Sequence, residues 1–78
     1  MPTVLRSGPY RLFFFSSDGG EPPHVHVRRD MDVAKFWLGP VRLAQNIGFR
    51  GEEVWQVYQL VEQHEAVLLG AWNDYFHR

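Results

Sequence analysis

From Glu52 onward, apolar side chains return every third or fourth residue: Val54, Tyr58, Val61, Leu68, Trp72 and then Phe76 or Tyr75. Glu65 is the polar exception on that line. This period predicts a C-terminal helix. Glu52 and Glu53 suit its positive end, and His77 and Arg78 its negative end. Arg50 is not a capping residue, so the first turn is poorly capped. Gly70, on the polar side, marks where the helix would divide. Leu60, His64, Val67 and Ala71 widen the apolar arc to about 180°, against roughly 100° for an ordinary surface helix. A wrapped loop or a second chain must cover that flank, and the pattern leaves both open. Trp55 lies off the stripe and reads as an exposed anchor.

The first 49 residues follow a different rule, with Gly, Pro, aromatic and β-branched residues and no helical period. Tyr10–Phe15 is a β-prone run after the turn signal Ser7-Gly8-Pro9. Ser16–Pro23 is a loop, with Gly19-Gly20 free to turn and Pro22-Pro23 extended. His24–Arg29 is a second strand and Val33–Leu38 a third. Alternation puts Val25 and Val27 on one face and His24, His26 and Arg28 on the other. An even-length loop between these strands sets the valines beside Phe36 and the histidines beside Lys35 and Trp37. An odd loop would exchange the faces, so the apolar pattern selects the even one. Val41–Ala44 is a candidate short fourth strand. The expected fold is α+β: a small antiparallel sheet of three to four strands packed by one long or broken C-terminal helix, in a single domain over residues 1–78.

Size changes this picture. A chain of 78 residues builds a marginal core, and without cysteine no disulfide assists it. Aromatic residues, at 15%, enlarge that core, and self-association is the other usual remedy. The net charge of −1 argues against a general nucleic-acid binder but leaves a local basic patch open. The start of the chain lacks a signal-peptide pattern, and no apolar run approaches the roughly 18 residues of a membrane span. A cytoplasmic protein with no membrane association is expected.

The candidate chemistry lies in Glu21–Asp30, EPPHVHVRRD. Two imidazoles at i, i+2 on a strand point the same way and can converge on one metal ion. A third ligand would then come from Asp18, Glu21, His64 or a second chain. They can equally act as an acid–base pair on a phosphodiester such as RNA, with Arg28 holding the phosphate. Arg29, Lys35 and Trp37 are the accompanying substrate-binding candidates. They can also be plain polar side chains on a solvated or covered face. His64 sits where a core or interface histidine is commoner than a catalytic one. The SSDGG loop lacks the Lys-Ser/Thr of a phosphate-binding loop. Spacing alone leaves these readings open.

The segments MPTVLRSGPYRLFFFSSDGGEPPHVHVRR, AKFWLGPVRLAQNIGF and LLGAWNDYF resemble the small bacterial proteins grouped as domain of unknown function 4160. The most specific part is Glu21–Val27, and the resemblance makes His24 and His26 stronger candidates. It also implies a partner, since such proteins are commonly encoded beside a domain of unknown function 2442 protein in pairs that look like toxin–antitoxin modules. One departure is Arg50, where a capping Ser is expected. Two functions follow. The first is a toxin-like component acting on RNA through the His-x-His strand. The alternative is a non-enzymatic binding or regulatory module, a homodimer or partner-binding subunit, with metal binding as a further candidate property. No cofactor is named by the sequence.

Overall fold

The computed structural model describes residues 3–76. Five strands form one antiparallel sheet in the order β1-β2-β3-β4-β5: Thr3–Ser7, Tyr10–Phe13, His24–Arg29, Asp32–Trp37 and Arg42–Ile47. A short 3₁₀ turn, Ser16–Gly20, links β2 to β3. Two helices follow, α1 (Gly51–Gln63) and α2 (Glu65–Phe76). The fold is α+β, with one strand more than the upper expectation. The addition is β1, which pairs with β2 across the Gly8 turn. The fourth expected strand runs longer, to Ile47.

β3 and β4 pair through the two-residue turn Asp30-Met31, setting Val25 against Phe36, Val27 against Ala34, His24 against Trp37 and His26 against Lys35. Asp30 takes the left-handed conformation, φ 54°, which Asp tolerates better than most residues. The even loop therefore occurs, and it keeps the valines on the packed face. Leu12, Phe14, Val25, Val27, Ala34 and Phe36 form the sheet side of the core. Val57, Val61, Leu68 and Trp72 form its helical side. Val57 is fully buried although it lies off the expected stripe.

Gly70 does not divide the helix. α2 runs through it, and the break falls at His64. The His64 ring donates from Nδ1 to the Leu60 carbonyl at 2.9 Å. That carbonyl is the one an uninterrupted α-helix would give to the His64 backbone N–H, which bonds Val61 instead. Glu65, the polar exception on the stripe, accepts the Gly39 backbone N–H at 2.9 Å and so ties the start of α2 to the β4–β5 turn. Arg50 makes no side-chain cap, as expected. His77 and Arg78 lie outside the described residues.

Candidate functional site

The site forms where the Pro-Pro entry delivers β3 to the sheet. His24 and His26 do point the same way, but not into water. His24 is fully buried, and the side chain of His26 is 12% exposed. What both rings meet is Asp18. Its Oδ2 lies 3.0 Å from His26 Nε2, in hydrogen-bond geometry, and 3.2 Å from His24 Nε2, close but not aligned for a hydrogen bond. Asp18 is held there by its own turn, where the Phe15 N–H donates to the same Oδ2 at 2.8 Å. Gly19 brings the turn close to α2, since a Cβ at that position would collide with the Phe76 ring.

Aromatic rings wall the site. His26 stacks on Phe13 with centroids 5.4 Å apart and meets the edge of Phe15 at 4.7 Å. His24 lies against Trp37 at 5.5 Å and Trp72 at 5.0 Å. The His24 Nδ1 donates to the Pro22 carbonyl at 2.9 Å. A carbonyl only accepts, so this contact fixes the proton on Nδ1.

Burial pushes the His26 pKa down, against the opposing pull of the Asp18 carboxylate. Burial would raise that of Asp18, but the Phe15 N–H and the two histidines together hold it below its usual range. Each group is thereby biased toward its unprotonated form.

The other candidates divide. Lys35 and Trp37 join the histidines: Lys35 Nζ lies 4.5 Å from the Trp37 ring centroid and 2.6 Å from Glu21 Oε1. Arg28 lies on the same face but further along β3, exposed, its Nε donating to the Asp30 carbonyl at 2.9 Å. Arg29 faces the helices. Its Nη2 donates to Glu53 Oε1 at 2.8 Å, and its Nε makes an ion-pair contact with Oε2 at 2.6 Å. His64 is committed to Leu60 in the helix break and takes no part.

Among the described residues, Asp18, His24 and His26 form a group with metal-ligand spacing, one donor atom from each lying within 4.8 Å of the others. Asp18 was one of several third ligands the sequence left open. Trp72 and the Pro22 carbonyl carry no sequence signal, because their roles depend on where α2 and the loop come to rest. A shallow cleft of about 320 Å³ elsewhere, between the β1–β2 turn and α1, is lined by Tyr10, Leu60 and glutamines and offers little chemistry.

Among the described residues, no helix is long and apolar enough to cross a membrane. No curated protein and no solved structure matches the chain. A family match spans residues 10–73, and so takes in the aspartate turn, both histidines and most of α2. On that match the chain belongs to the family described as domain of unknown function (DUF4160).

Proposed function

We propose that this protein is a non-catalytic, partner-binding module of a two-protein bacterial pair, and that β5 receives an extended segment of the partner. The observation that carries this reading is the β5 edge. All six residues of Arg42–Ile47 are exposed, and the strand forms one margin of the sheet. Leu43 and Ile47 keep 45% and 57% of their surface in water. Such an edge is a template for strand addition, with backbone hydrogen bonds supplying affinity and side chains selectivity. Gly39–Gly51 carries Arg42 and Arg50 and no carboxylate, which favours an apolar segment with acidic residues.

The toxin-like reading, with His24 and His26 acting on RNA, draws its support from the family resemblance and from the partial exposure of His26. The geometry favours it less. A phosphate would have to displace the Asp18 carboxylate from both rings, and Lys35 and Arg29 already hold carboxylates.

Co-expression with a domain of unknown function 2442 protein, the partner class the family resemblance implies, followed by size exclusion with light scattering, tests the choice. The expected result is a stable complex lost in Leu43→Lys/Ile47→Lys and retained in His24→Ala/His26→Ala. A complex that survives the edge substitutions overturns the proposal. A homodimer lost with them reassigns the edge to self-association. Growth arrest by the chain alone, abolished in the double-histidine variant, favours the toxin-like reading.

A further inference from the structure

We propose that Asp18, His24 and His26 bind one divalent transition-metal ion of the zinc class. This goes beyond the docking role of β5 and does not depend on it.

Since His24 Nδ1 donates to Pro22, Nε2 of the neutral ring carries a lone pair. That lone pair is buried, lacks a hydrogen-bond partner and lies 3.2 Å from a carboxylate oxygen, itself an acceptor. In this tautomer two acceptors face each other, and a cation between them would satisfy both. A metal ion uses the lone pair and the carboxylate together.

The two imidazole-to-carboxylate distances suit it, and all three donor atoms lie within 4.8 Å of one another, so the rings need only close on the ion. Ligands at about 2.0–2.1 Å from an ion are separated by roughly 2.9 Å in octahedral and 3.4 Å in tetrahedral geometry. The two imidazole-to-carboxylate separations, 3.0 and 3.2 Å, fall between these limits. His26 enters as a ligand by carrying its proton on Nδ1 in place of Nε2.

The supporting shell is already in place. Ligating histidines usually donate their other ring N–H to a carbonyl or carboxylate, as His24 does to Pro22. The Phe15 N–H orients the aspartate, and four aromatic rings dry the surroundings. Two imidazoles and one carboxylate suit zinc, cobalt or iron(II) better than calcium or magnesium, which prefer oxygen. A fourth position remains for water or a group from a partner. Glu21 is engaged by Lys35.

The test uses the untagged chain stripped by chelation. Zn²⁺ is titrated against a competing dye, and Co²⁺ binding is followed by its visible absorption. One ion per chain is expected, with a Co²⁺ spectrum of nitrogen and oxygen ligation. Asp18→Asn and His26→Gln should each weaken Zn²⁺ binding by about 100-fold or more, while His64→Gln and Leu43→Lys/Ile47→Lys leave it unchanged. Circular dichroism confirms folding of each variant, and Asp18→Asn, on the outer turn, carries the test if a histidine variant fails to fold. Wild-type affinity no greater than that of Asp18→Asn overturns the proposal, as does an equal loss in His64→Gln.

Discussion

The two helical tryptophans Trp55 and Trp72 make opposite predictions. Trp72 is 1% exposed, packed against Phe14, Phe76 and His24, whereas Trp55 is 58% exposed and stacks on Tyr58. A buried aromatic removes about 150–250 Å² from water, or roughly 4–6 kcal/mol at 25 cal/mol/Å². Measured Trp→Ala losses in cores run about 3–5 kcal/mol. At roughly 0.05–0.15 kcal/mol per residue, a chain of this size has about 4–12 kcal/mol in total. Trp72→Ala should therefore consume much or all of it. Trp55→Ala should fall within about 0.5 kcal/mol of the parent, as surface changes do. Thermal and urea unfolding followed by far-UV circular dichroism reads both, with about 4–8 °C expected per kcal/mol. Trp72 also backs His24, so Trp72→Phe, which keeps most of the packing, should perturb the His24 ring resonances more than global stability. A Trp72→Ala protein within about 1 kcal/mol of wild type would show that α2 does not close the core as described.

Gly48 sits at φ 103°, and a Cβ there would meet the Asp32 carboxylate, so Gly48→Ala should cost at least about 1–3 kcal/mol in urea unfolding. The Glu53 pKa is lowered, first by the Arg29 hydrogen bond and then by Tyr10. A lowered carboxylate stabilises above its unfolded value and loses that contribution as pH falls through the folded one. The stability gap between wild type and Glu53→Gln should thus be widest near neutrality and narrow as pH falls from the ordinary glutamate range through the lowered folded value, in urea titrations at each pH. Glu65→Leu completes the apolar stripe yet removes the acceptor of the Gly39 N–H. It should give no gain in melting temperature, and a clear gain would show that this contact contributes nothing.

Much of the fold is legible because it rests on short-range periodicity. The two-residue alternation in β3 and β4, together with Asp30-Met31, sets the register, since a slip of one residue would expose Val25 and Val27. The helix break is not legible in this way. A glycine is the obvious weak point, yet Gly70 is tolerated on an exposed face while the His64 ring bonds the carbonyl that would have carried the helix on. β1 is missed because its burial is partial and its pairing depends on β2 being in place.

The chain alone determined that His24 and His26 share a face and that a helix follows the strands, since both are consequences of local geometry. Only the tertiary structure decided what that face meets. Asp18 reaches the imidazoles because the Phe15 N–H orients its turn and the turn packs against Phe76. Trp72 seals His24 because α2 brings its ring against β3. These are contacts between segments far apart in sequence, and no local pattern encodes them.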